Sequence, residues 1–232
     1  MKTIGLIGGM SWESTANYYQ IINREVKARL GGLHSGKVCL YSVDFAEIET
    51  LQHQGRWDDT ATILAQAAKS VEEGGADFIL ICTNTMHKVA DQIQLAVNVP
   101  LVHIADATAE KLVADGVKRV GLLGTRFTME QDFYKLRLID KFGIDVVVPS
   151  ADDQTIVHEV IYNELCKGEV RDDSRQRYLT IIDKLVDQGI EAVILGCTEI
   201  AMLVEPKHTN VTLYDTTEIH AKAAVHKALR DN

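Results

Sequence analysis

Nowhere along the 232 residues does positive charge collect into a stripe, and the formal net charge is −9. Such a chain has nothing with which to neutralise a phosphate backbone, which excludes nucleic acid as a partner. No apolar run approaches the roughly 20 residues that span a bilayer. The opening stretch "MKTIGLIGGM" (1–10) is too short and too rich in glycine for a secretory signal, and no cleavage-site pattern follows it. The expectation is therefore a cytoplasmic protein with no membrane association. Low-complexity and linker segments are missing too. The four cysteines, Cys39, Cys82, Cys166 and Cys197, form no C-x-x-C pair, and none has a histidine at zinc-ligand spacing. No metal is expected, and in a reducing compartment the thiols stay reduced. The default reading of each is a small buried hydrophobe. Gly5, Gly8 and Gly9 do not spell G-x-G-x-x-G, so the nucleotide-binding reading is weak. They read instead as clearing space for a small ligand near Met10.

The chain is 46% hydrophobic, enough to bury a substantial core. Eight apolar runs read as strands: 3–8, 37–44, 77–82, 101–106, 119–124, 144–149, 191–197 and 211–215. Amphipathic stretches separate them. In 60–75, Ile63, Leu64, Ala67 and Val71 share one helical face, and glycine ends the segment. Continuous apolar strands alternating with helices indicate an α/β fold with buried parallel sheets.

An internal repeat divides these strands. "GADFILICTNT" (75–85) overlays "GIEAVILGCTE" (189–199) without a gap. Upstream, "IGLIGG" (4–9) matches "VGLLGT" (120–125); downstream, "VHIADAT" (102–108) matches "VTLYDTT" (211–217). The reading is two pseudo-symmetric, doubly wound half-domains, each with a four-stranded parallel sheet and the active site in the cleft between them. The first covers 1–100, the second 101–209, and 210–232 packs back on the first.

The overlay sets Thr83, not Cys82, opposite Cys197. Neighbours on a strand face opposite sides. Thr83 and Cys197 therefore hold equivalent posts at the C-terminal ends of equivalent strands, the edge at which open α/β sheets bind ligands. Two groups on opposite faces of one small molecule suit inversion at a carbon, one removing a proton and the other returning it. The hydroxyls, amide and loop N–H groups of "TNT" (83–85), "GTRFT" (124–128) and "CTE" (197–199) suit a carboxylate. On this reading Asn84, Thr85, Thr125, Thr128, Thr198 and Glu199 bind substrate, and helices starting after these loops add their dipoles.

"GLIGGMSWEST" (5–15), "CTNTMH" (82–87) and "LGCTEI" (195–200) together resemble the aspartate/glutamate racemase family. The resemblance covers nearly the whole chain and is closest to the aspartate-racemase branch, among bacterial L-aspartate/glutamate-specific enzymes. It implies cofactor-independent racemisation by two cysteines, without pyridoxal phosphate, and a homodimer. The family's first motif reads Cys-Asn-Thr, where this chain has Thr83-Asn84-Thr85. A threonine hydroxyl returns a proton more readily than it abstracts one. The resemblance therefore implies Cys197 as base on the L-face and Thr83 as donor or water relay on the other. It also implies Gln52 as one partner of the distal carboxylate, and Cys166 or Lys167 at the position of a second. If Cys166 fills that position, the pocket loses a cation and accepts neutral amino acids as well.

Bland readings cover the rest. Cys39 belongs to a strand and Cys166 to the helix "VHEVIYNELCKG", both structural; Cys82 reads as core. Asp106 and Asp215 read as helix N-caps. His87 caps or packs, with no chemical role. Two rivals stand beside the racemase: a malonate-type decarboxylase using Cys197, and a non-catalytic amino-acid sensor.

Overall fold

The computed structural model describes residues 1–230, and the chain divides into two units, one of Met1–Ile104 with the chain from His220 on, the other of Ala105–Ile219. In the first unit β1 (Ile4–Gly8), β2 (Val38–Ser42) and β3 (Phe78–Ile81) form a parallel sheet in the order β2-β1-β3. In the second, β4 (Arg119–Gly124), β5 (Asp145–Val147), β6 (Ala192–Gly196) and β7 (Thr212–Asp215) form a parallel sheet in the order β5-β4-β6-β7.

β1, β3 and β6 are buried along their whole length, as continuous apolar runs require when helices cover both faces. On one face of the first sheet, Ile4, Leu6, Phe78, Leu80 and Cys82 pack on Tyr18, Ile22 and Val26 of the helix Trp12–Leu30 and on Ala221, Ala224 and Val225. On the other, Ile7, Ile79 and Ile81 meet Leu64, Ala67, Ala68 and Val71 of the helix Trp57–Glu73. Each fully buried Leu, Ile or Val contributes about 1.5–3 kcal/mol, so this alternation determines which face each strand residue takes.

The strand registers follow the overlay. Gly5 pairs with Ile79 and Gly121 with Val193; Leu6 pairs with Leu80 and Leu122 with Ile194. A shared device starts each pair. The Asp77 carboxylate accepts from the Thr3 N–H at 2.6 Å, and the Glu191 carboxylate from the Arg119 N–H at 2.9 Å.

Several expectations need correction. Among the described residues the first sheet has three strands rather than four, because 101–106 supplies only an isolated bridge from Leu101 to Ile79 before a helix begins at Ile104. The third sequence match is also out of step. Leu101 holds against Ile79 the place that Leu213 holds against Val193, whereas the motif aligned Val102 with Val211. A short V-x-[IL]-x-D-x-T pattern does not distinguish a strand from a helix start. Asp106 is not an N-cap. It lies within the helix Ile104–Ala114, and its carboxylate accepts from Arg137 at 2.5 and 2.9 Å and from Lys141 at 2.6 Å. Asp215 does cap, accepting from the N–H groups of Thr217 and Glu218. Cys166 sits in a separate 3-10 turn, Leu165–Lys167, because the preceding helix stops at Asn163. No described helix is long and apolar enough to cross a membrane.

Candidate active site

In the first unit the backbone of Cys82 extends the ladder by one bond, its N–H donating to Ile7 O at 2.9 Å, before the chain turns away. The Cys82 side chain lies in the core and is fully buried. Burial alone pushes its thiol far up from the ordinary value. Thr83, next along, is half-buried and leads into a 3-10 turn, Thr85–Val89. Asn84 and Thr85 are buried in that turn. His87, to which the sequence assigned no role, closes it. Its N–H donates to Asn84 O at 3.1 Å, and its ring Nδ1 lies 2.8 Å from Thr83 O. The signal was the spacing: in a helical turn, a side chain four residues on can reach back to the carbonyl.

Met10 is buried in the same apolar cluster as Met86, and the Gln52 amide donates from Nε2 to Met86 Sδ at 2.9 Å. Gln52 is thus tied to Met86, and Met10 belongs to the same buried cluster. The double glycine has a different purpose from the one expected. Gly9 has φ +91°, and a Cβ there would stand 2.2 Å from Val43 O; a Cβ on Gly8 would stand 2.4 Å from the Thr15 methyl. The glycines clear space for the protein's own backbone and for Thr15, not for a ligand. Thr15 then accepts from the Gly9 N–H at 2.8 Å.

In the second unit Gly124 of β4 pairs with Gly196 of β6, so Thr125 and Cys197 leave neighbouring strand ends. Thr125 caps the helix Arg126–Glu130 by accepting from the Thr128 N–H at 3.3 Å, and its hydroxyl lies 3.2 Å from that of Thr128. The Cys197 thiol donates to Glu199 Oε2 at 3.0 Å, and the Thr198 hydroxyl donates to the same oxygen at 2.6 Å. Cys197, Thr198 and Glu199 are all buried. Cys166 packs against the apolar cluster that holds Cys197, while Lys167 is exposed. Burial first, then the Glu199 charge and Cys166, push the Cys197 thiol well above its ordinary value. Each of these causes favours the neutral thiol, which faces the Glu199 side chain.

The helices expected to add dipoles are short. The helix after Cys197 is Ile200–Leu203 and that after Thr125 is Arg126–Glu130. One turn aligns too few peptides for a strong macrodipole, so the local N–H groups and hydroxyls remain as the anion donors. Among the described residues no group of three or more His, Cys, Asp or Glu is arranged to hold a metal.

One measurement checks the state of Cys197. Thiolate absorbance near 240 nm, taken as wild type minus Cys197→Ser, is expected to stay flat from pH 6 to 9 without ligand. A rise centred at or below neutrality would mean that the thiolate is already formed at rest.

These strand ends, with a Cys-Thr-Glu turn on one and Thr-Asn-Thr on the other, accompany a match over residues 7–224 to the model of the Asp/Glu/Hydantoin racemase family. The chain belongs to this family. Among solved structures similar to this racemase-family chain is an Asp/Glu racemase candidate from Yersinia pestis, 54% identical, with a TM-score of 0.92, covering 99% of this chain and 100% of the other. Another is an aspartate racemase homologue from Pyrococcus horikoshii, 36% identical, with a TM-score of 0.83, covering 98% and 99%. The broad-specificity amino-acid racemase RacX of Bacillus subtilis is 22% identical over 96% of each chain.

Proposed function

We propose that this family member racemises aspartate and glutamate without a cofactor, with Cys197 as base on the L-face and Thr83 as donor or water relay on the other. The observation that carries the reading is the Cys197 thiol donating to Glu199 Oε2 at 3.0 Å. Glu199 is the acceptor for the thiol proton. Transfer to its carboxylate leaves a thiolate, which removes the Cα proton and becomes a thiol again. A substrate ammonium group brought nearby favours the thiolate by opposing its charge. The electron pair left at Cα spreads into the substrate carboxylate, for which Asn84, Thr85, Thr125, Thr128 and Thr198 supply donors. Thr83 then delivers its hydroxyl proton to the other face and is reprotonated by water, and the hydroxide so formed takes the proton held by Glu199, which restores the resting state. Met10 and Gln52 border the side-chain end of the substrate. With Cys166 rather than a cation near Cys197, substrates with uncharged side chains are also accepted, and the name of the Bacillus subtilis relative is in keeping with that breadth.

The test is NMR of L-glutamate and L-aspartate with the protein in D₂O. Loss of the Cα proton signal together with appearance of the D-enantiomer is expected. A decarboxylase would leave both amino acids unchanged and consume a substituted malonate. A sensor would bind them without exchange. Either result would overturn the proposal.

A further inference from the structure

We propose that His87 is the positioning residue for Thr83, holding the turn after β3 through a neutral imidazole protonated on Nδ1. The argument begins with donors and acceptors. A backbone N–H can only donate, and that of Ile104 points at His87 Nε2 from 3.2 Å. Nε2 must therefore be bare, and a neutral ring then carries its proton on Nδ1. Nδ1 lies 2.8 Å from the carbonyl of Thr83, which can only accept. One tautomer satisfies both contacts, and the imidazolium would break one of them.

The surroundings favour that neutral form. His87 is 3% exposed, and its ring centroid lies 4.5 Å from that of His103 and 5.9 Å from that of His220. His220 is favoured neutral for a different reason: burial lowers its imidazole pKa to about 4. Its Nε2 lies 2.8 Å from the carbonyl of Val102, so that nitrogen carries the proton, and the neutral ring leaves Nδ1 to accept from the Tyr18 hydroxyl at 2.8 Å. Burial first, then the two neighbouring histidines, drive the His87 imidazole well below its ordinary value. The consequence for Thr83 is geometric. Its carbonyl is clamped to a ring that is itself anchored to the Ile104 backbone, so the peptide carrying the Thr83 side chain has one orientation. Lys88 and Met86, on either side of His87 in sequence, have no such bond to Thr83.

The proposal rests on the role assigned to Thr83 above, and the experiment separates the two. The amide nitrogen of asparagine takes the place of Nδ1, whereas the amide of glutamine takes that of Nε2. His87→Asn therefore keeps the bond to Thr83, and His87→Gln keeps only the one to Ile104. With L-glutamate in D₂O, two rates are read: deuterium entering Cα with the L-configuration kept, which reports Cys197, and formation of D-glutamate, which also needs Thr83. His87→Gln is expected to lower the ratio of inversion to retained exchange by about tenfold to a hundredfold, the range a misplaced reacting group costs. His87→Asn is expected to recover most of it. Parallel loss of both rates, or identical behaviour of the two variants, would overturn the positioning role. Thr83→Ala is run alongside. If it racemises at the wild-type rate, the Thr83 reading fails; if it loses inversion while His87→Gln does not, the His87 proposal alone fails. Should His87→Gln not fold, ¹⁵N NMR of the wild-type ring decides: a proton on Nδ1 is required, and a proton on Nε2 rejects the proposal.

Discussion

Replacing Cys197 by serine is expected to lower racemisation about a hundredfold to ten-thousandfold, the contribution of a positioned acid or base. Serine keeps the size of the side chain and a hydrogen bond to Glu199. It loses the acidity, because a hydroxyl yields an anion far less readily than a thiol, even one whose burial disfavours the thiolate. Cys82→Ala is the control. Cys82 is fully buried and packs with Leu80 against the helix Trp12–Leu30. Its loss leaves a small cavity and lowers stability by about 1 kcal/mol, while most of the activity remains. Rates of D- and L-aspartate turnover, with thermal unfolding of each variant, check both statements. Equal damage from the two substitutions would mean that the alignment of the two strand ends is wrong by one residue.

Thr83→Ala is expected to lose inversion while keeping exchange of the L-substrate's Cα proton with solvent. Cys197 still takes the proton, but the carbanion can be reprotonated only from the side it came from, so deuterium enters with the L-configuration retained. Thr83→Cys places a base on the D-face and is expected to raise kcat for the D-enantiomers, by up to several kcal/mol of barrier at about 1.4 kcal/mol per tenfold. The enantiomers have equal free energy, so kcat/KM remains equal in the two directions and only the separate constants become lopsided. Coupled assay of each direction, with NMR of the recovered L-substrate, reads the effect. Wild-type racemisation by Thr83→Ala would reduce Thr83 to a pocket residue and leave water as the second acid. Loss of all exchange by a folded, substrate-binding Thr83→Ala would show that Cys197 does not act alone on the L-proton.

The sequence by itself determined the α/β class, the parallel sheets and the equivalence of the central strands of the two units. The physical reason is that strands buried on both faces must be continuously apolar, and a gapless overlay of two such strands carries their facing with it. Asp77 and Glu191 were legible as equivalent positions, although not as acceptors of a backbone N–H from the neighbouring strand. Thr198 and Glu199 were legible as neighbours of Cys197, although not as acceptor and co-donor on one oxygen.

Only the tertiary structure decided the remainder. Leu101 becomes a single bridge because a helix starts three residues later, and a short apolar run has no period long enough to distinguish the two states. The purpose of Gly8 and Gly9 depends on Val43 and Thr15, whose approach no local pattern announces. Asp106 leaves the capping role because Arg137 and Lys141, some thirty residues on, offer charge where a cap offers only N–H groups. His87 acquires its two bonds from Thr83, four residues back in its own turn, and from Ile104, which lies far along the chain. The first contact follows from helical spacing; the second exists only once the chain has folded, and it is the second that determines which nitrogen carries the proton.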